Sequence, residues 1–223
     1  MIPDRREFLE RLAAGAATLA GGPLLDPRPS LDPHRTAGDD KWDVSWAEHL
    51  TGRHRAVFDC PQISEGAALL RALIWIKQYG EVYGAPASEM NAVIVVRHAA
   101  IAMIMDDEFW DHHKLGRELK ITDPKTRAPI ARNPFFGPTP FLDLPAGLAD
   151  DALGRALKVC TILACNLAFQ DMVETVKKQA KVDDIKAREM ALRHVVPGVL
   201  LQPSGVFAVL RAQEAGCQYL MAS

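Results

Sequence analysis

The stretch Asn91-Ala92-Val93-Ile94-Val95-Val96, running straight into Arg97-His98, decides the fold class. It is apolar at successive rather than alternate positions, so both faces are buried, as in a parallel strand with helices on each side. Working outward, Arg55-Ala56-Val57-Phe58-Asp59-Cys60 is an earlier strand stopped by Pro61. Between the two, residues 64–80 predict a helix with Ser64 as N-cap, Leu69, Leu70, Leu73, Ile74 and Ile76 as apolar residues, and Gly80 at its end. Trp42 and Trp46 flank Val44 and are expected to cover a core edge before the first strand. A helical stretch is expected from Ala99 towards Trp110. Val159 to Ala164 is a third strand that breaks at Cys165-Asn166 into a helix through Met172 and Val176. A shorter helix from Ile185 to His194 stops at Pro197-Gly198, and Val199-Leu200-Leu201 is a fourth strand ending at Pro203-Ser204-Gly205. A helix from Val206 to Ala215 closes on Gly216, and Cys217 to Met221 is a fifth strand. Strand and helix alternate with connections too long for hairpins. That pattern specifies an α/β domain, a three-layer α/β/α sandwich around a parallel sheet of about five strands.

The front of the chain has a different character. Arg5-Arg6, then Phe8-Leu9 and an Ala/Gly/Leu stretch to Ala20, resemble a twin-arginine export signal over residues 1–25. Glu7 and Glu10 dilute its positive charge, and Thr18-Leu19-Ala20 is the best small-x-small cleavage candidate. Residues 26–50, with Pro27, Pro29, Pro33 and Gly38, form a linker and N-terminal extension, leaving 51–223 as the folded domain. The expected location is periplasmic or otherwise exported by the twin-arginine translocase, with an uncleaved signal as an alternative membrane anchor. Within the domain, residues 122–147 hold six prolines, too many for a helix or central strand, and form a long loop insertion.

Composition narrows the function classes. Of the 223 residues 48% are hydrophobic and 24% charged, values of a globular chain. A net charge of −2, with no basic stripe interleaved with aromatics, argues against a nucleic-acid partner. No Gly-rich phosphate loop, nucleophile elbow or paired-carboxylate signature is present, and no cofactor is expected. His98, His112 and His113 lack metal-ligand spacing and there is no C-x-x-C, so no metal is expected either.

In a parallel α/β sheet the chemistry gathers beyond the carboxyl ends of the strands. Those ends hold Cys60, then Arg97 and His98, then Cys165 and Asn166, then Ser204 and Gly205. Cys165 opens a helix, where the dipole favours the thiolate, with Arg97 and His98 as candidate cationic neighbours. Cys60 is a candidate second thiol of the same site or a disulfide partner for Cys165. Cys160 and Cys217 are expected to be buried packing residues. A duller alternative leaves Cys165 as a packing residue at a tight strand-to-helix turn.

The segments Leu163-Ala164-Cys165-Asn166-Leu167-Ala168, Val196-Pro197-Gly198-Val199, Pro203-Ser204-Gly205-Val206 and the closing Gln213-Glu214-Ala215-Gly216-Cys217-Gln218-Tyr219 resemble the DsrE/DsrF-like family. The resemblance covers roughly residues 53–222, apart from the proline-rich insertion. It implies a three-layer α/β/α fold, homo-oligomers (trimers or hexamers), and a persulfide on a cysteine where Cys165 falls. The function it implies is an exported protein, a transferase or carrier that handles sulfane sulfur, with a sulfur donor or acceptor protein as partner and Asn166, Ser204 and Gly205 around the ligand. The alternative is a non-catalytic oligomeric domain that binds a small ligand or another protein.

Overall fold

The computed structural model describes residues 42–137 and 151–223. The export segment, the linker up to residue 41 and the end of the proline-rich insertion lie outside the described residues.

Five strands form one sheet: β1 (His54–Cys60), β2 (Met90–Val96), β3 (Cys160–Cys165), β4 (Leu200–Gln202) and β5 (Gln218–Met221). Their order is β4-β3-β2-β1-β5, and every pairing is parallel, as the doubly apolar strands require. The helices are α1 (Ala67–Tyr83), α2 (Asp107–His112), α3 (Leu115–Glu118), α4 (Ala152–Leu157), α5 (Asn166–Ala180), α6 (Asp184–Leu192) and α7 (Gly205–Glu214).

The pleat sorts the strand residues between two cores. Ala56, Phe58 and Cys60 of β1, Ala92, Ile94 and Val96 of β2, and Ile162 and Ala164 of β3 face the larger core, with α1, α2, α4, α5 and α6. Val57, Val93, Val95 and Leu163 face a smaller one, covered by α7 and by the 3-10 turn Ser45–His49 with Trp46. The chain steps one way from β1 to β4, so right-handed crossovers place all those connections on one face. The step from β4 to β5 crosses the sheet in the opposite direction and puts α7 on the other. The three-layer α/β/α architecture follows from that reversal.

Local boundaries differ from the sequence reading where tertiary packing intervenes. Ser64 does not cap the first helix. Ser64 and Glu65 take left-handed backbone (φ 37° and 55°), Gly66 follows at φ 78°, and the helix starts at Ala67. A Cβ at Gly66 would lie 2.8 Å from the Phe135 ring, so this turn is shaped by the proline-rich segment pressed onto it. The same helix passes through Gly80 and stops at Gly84 (φ 66°), whose N–H donates to the Gly80 carbonyl while Ala85 N–H donates to the Tyr79 carbonyl. The stretch after His98 is a 3-10 helix, His98–Ile104, buried from Ala100 onward, and α2 begins only after Asp106. Of the proline-rich stretch, residues 122–137 form no helix or strand of the sheet. The buried Asn133 ties that stretch to the core by donating to the Met103 and Met105 carbonyls.

Candidate functional site

The positions where a parallel sheet binds ligands are those where successive connections leave on opposite faces. Here that point lies between β3, which feeds α5 on one face, and β4, which feeds α7 on the other. Cys165 closes β3 and Ser204 precedes α7, so both sit at this switch, with Arg97 at the end of the neighbouring β2.

Cys165 is both the last residue of β3 and the N-cap of α5. Its Sγ accepts a hydrogen bond from Ala168 N–H at 3.4 Å, the position a Ser or Asp oxygen takes in an ordinary cap. The residue is 7% exposed. Ser204 caps α7 in the same manner, its Oγ accepting from Phe207 N–H at 3.0 Å. Asn166 Oδ1 accepts from Arg188 Nη2 at 2.7 Å, and the Arg188 guanidinium lies 5.6 Å from the Phe169 ring centroid. Asn166 and Ser204 are therefore already engaged in holding the two helix starts.

Arg97 is fixed by a carboxylate that β1 supplies. Its Nε and Nη2 donate to Asp59 Oδ1 and Oδ2 at 2.7 and 2.8 Å, a bidentate pair with the carboxylate side chain 3% exposed. Tyr219 of β5 donates its hydroxyl to Asp59 Oδ2 at 2.9 Å. Three strands thus contribute one group each. Those hydrogen bonds hold the Arg97 guanidinium charged, with Tyr219 and Cys165 as further electrostatic neighbours. Gly205 completes the arrangement: a Cβ there would lie 2.5 Å from Arg97 Cδ, so the arginine stem crosses the start of α7 only because no side chain is present.

The remaining predicted residues fall elsewhere or carry different chemistry. His98 adopts left-handed backbone (φ 48°) and is exposed. Partial desolvation, then the Arg97 charge, lower its pKa below the ordinary imidazole value, with Asp59 and Asp171 opposing. Arg97 and Arg188 are therefore the permanent positive charges described near Cys165 at this edge. Cys60 is buried, and burial followed by the neighbouring Asp59 charge pushes its thiol up to about 12. Its Sγ donates to the Gln62 carbonyl at 3.3 Å. Strand β2 separates Cys60 from Cys165 by two strand spacings, roughly 10 Å, beyond disulfide reach. All four cysteines are free thiols. Cys160 opens β3 at the opposite, amino edge of the sheet and is only partly buried, with its thiol pushed up to about 12 by desolvation. Cys217 is buried just before β5, and desolvation takes it to about 11.

Sequence reasoning missed Asp59, Tyr219 and Gln202. A signal for two of them was present: a carboxylate inside the apolar strand His54–Cys60, and an amide closing the short strand Leu200–Gln202, must each find buried partners. Gln202 does so by accepting from Trp46 Nε1 at 3.1 Å and donating to the Asp43 carbonyl at 2.7 Å.

Two clefts among the described residues are lined by residues other than Cys165. One of about 370 Å³ lies at the amino edge, beside Asn91, Lys158 and Cys160. The other, of about 240 Å³, lies at the far end of α5. Among the described residues no group of three or more His, Cys, Asp or Glu side chains is gathered to hold a metal ion, and no helix is long and apolar enough to cross a membrane. Comparison with protein-family models, with curated proteins and with solved structures gave no match.

Proposed function

We propose that the protein handles sulfane sulfur as a persulfide on Cys165, in line with the resemblance to the DsrE/DsrF-like family. The observation that carries this reading is the Cys165 sulfur itself, which accepts a main-chain N–H at the start of α5 and has the fixed Arg97 cation as an electrostatic neighbour. Main-chain N–H groups and a guanidinium favour negative charge on sulfur, both on an attacking thiolate and on the terminal sulfur of a persulfide. In the forward step the Cys165 thiolate attacks the outer sulfur of a donor persulfide R–S–SH. A new S–S bond forms on Cys165, the donor S–S bond breaks, and R–S⁻ leaves with the electron pair; nothing is oxidised or reduced overall. An acceptor thiolate reverses the step. Export through the twin-arginine route, read from Arg5-Arg6 and the stretch that follows, belongs to the same proposal.

Polysulfide treatment of the full chain, followed by peptide mass spectrometry, is expected to give a one-sulfur increment on Cys165 that disappears in Cys165→Ser. An increment spread over all four cysteines, or none on Cys165, overturns the reading.

A specific observation favours the second reading, an assembling binding domain without chemistry. Edge strand β5 exposes Tyr219, Leu220 and Met221 at 44, 44 and 51%, and α7 exposes Val206 at 64% and Leu210 at 54%. Apolar residues on an open sheet edge are a surface that subunit contacts would cover. If this reading holds, the native mass is that of an oligomer while Cys165→Ser retains both assembly and any ligand.

A further inference from the structure

Helix α5 opens on Cys165, and its last turn borders a cleft with a separate set of groups. Gln179, in that turn, lies about 20 Å along the helix axis from Asn166 at 1.5 Å per residue. The cleft has a volume of about 240 Å³ and is walled on its apolar side by Val176, Ala180 and Met190.

Its polar side carries His112, His113, His194, Gln179 and Glu108, and two of the histidines have tautomers dictated by their partners. His194 Nδ1 lies 3.1 Å from both carboxylate oxygens of Asp106. A carboxylate only accepts, so Nδ1 carries a proton, and in the uncharged tautomer Nε2 presents the lone pair. His113 Nδ1 lies 2.7 Å from Gln179 Oε1, and a carbonyl oxygen also only accepts, so His113 takes the same tautomer. The His113 ring is 7% exposed and packs on Phe109 at 4.2 Å between centroids; burial lowers its pKa and keeps it neutral. Asp106 is itself locked: its Oδ1 accepts from Phe109 N–H at 2.8 Å, and its N–H donates to the His194 carbonyl at 2.8 Å. The Glu108 carboxylate borders the same cleft. His113 Nε2, His194 Nε2 and the Glu108 carboxylate are acceptors, and the carboxylate makes this part of the lining negative. The matching occupant donates hydrogen bonds and carries positive charge. Among the described residues no three His, Cys, Asp or Glu side chains are gathered closely enough to hold one metal ion, so an organic cation, which takes its hydrogen bonds separately, fits the cleft better.

We propose that this cleft binds a small organic ammonium ion, with its N–H groups on His113 Nε2, His194 Nε2 and Glu108 and its hydrocarbon part against Val176, Ala180 and Met190. The proton stays on the amine, which is a much stronger base than imidazole. The volume corresponds to about eight water molecules at 30 Å³ each, room for a ligand of seven or so non-hydrogen atoms. In this assignment Asp106 is a positioning residue, holding the His194 ring in the acceptor tautomer. The inference is independent of the Cys165 reading, and either can fail alone.

The test uses the full chain with ¹⁵N-labelled histidine at about pH 8, where an alkylamine is still protonated. Cyclohexylammonium, cyclohexanol and cyclohexanecarboxylate share a shape and differ in charge. The ammonium is expected to shift both Nε2 resonances saturably, the alcohol to bind at least ~10-fold more weakly, and the carboxylate not to bind. Glu108→Gln and Asp106→Asn should each weaken ammonium binding by about 10-fold. The proposal is overturned if the carboxylate binds as well as the ammonium, or if no probe moves either imidazole. It is also overturned if Glu108→Gln, at an exposed position where folding is not at stake, binds the ammonium as wild type does.

Discussion

The ends of β1 and β3 carry the same residue type at the same level of the sheet, yet they do opposite things with it. At the end of β1 the Cys60 sulfur is a donor, giving its proton to the Gln62 carbonyl beside the Asp59 carboxylate. At the end of β3 the Cys165 sulfur is an acceptor, taking a main-chain N–H at a helix start with Arg97 nearby. Cys60 is wholly buried and Cys165 is 7% exposed, and desolvation is the largest cause of the raised Cys60 value. The direction of the hydrogen bond and the adjacent Asp59 carboxylate separate them further, while Arg97 is an electrostatic neighbour of both. A strand-end position therefore nominates a cysteine, and its depth of burial and immediate partners decide how its sulfur is used.

The largest expected effect is in reactivity. With its thiol pushed up to about 12, Cys60 carries about one thiolate in ten thousand at pH 8, so iodoacetamide should label Cys165 and leave Cys60 intact. Equal labelling of the two, read by peptide mass spectrometry, would erase the contrast. The same raised value has a sign in stability. Above pH 9 the unfolded chain gives up this proton while the folded chain keeps it, so the Cys60 contribution falls as pH rises from about 9 towards about 12.

Next in size is Asp59→Ala. It strips the carboxylate from a guanidinium whose side chain is 20% exposed and leaves the Tyr219 hydroxyl without its acceptor. A cost of about 3 kcal/mol in urea unfolding is expected, the usual consequence of orphaning one member of a buried ion pair. A change near zero would mean that Arg97 finds another partner, and the fixed cation beside Cys165 would have to be abandoned. Gly205→Ala is smaller. Its Cβ would meet the Arg97 stem at 2.5 Å, so roughly 1–2 kcal/mol of stability should be lost as the arginine shifts. The polysulfide increment on Cys165 should fall with it while Cys60 is unaffected.

How much of this was legible beforehand depended on whether the cause was local. The doubly apolar Asn91–Val96 announced a central parallel strand, and all five strands fall where the hydrophobic runs place them, because burial on both faces is written residue by residue. The start of α1 was not legible, since the left-handed Ser64 and Glu65 answer to Phe135, far along the chain. The position of Cys165 at a strand-to-helix junction was legible because an apolar run ends there and a helical one begins. Its electrostatic setting was only half visible: Arg97 is adjacent to β2, whereas Asp59 and Tyr219 meet across 160 residues, and nothing local brings β5 to the side of β1. Asp106 stands in an acidic run, Asp106-Asp107-Glu108. Its pairing with His194, 88 residues away, appears only once the segments after β2 and α6 lie together.

The strand order has a consequence for the timing of assembly on the ribosome. Strands β1 to β4 join in the order in which they are synthesised, each onto the edge left by the one before, but β5 must return to the flank of the first. Until it emerges, β1 stands as an open edge with Asp59 lacking one of its donors. The charged pair that fixes Arg97 therefore reaches its final form only when the last strand of the sheet docks. A nascent chain can bury most of its core well before the carboxyl edge has its full set of hydrogen bonds.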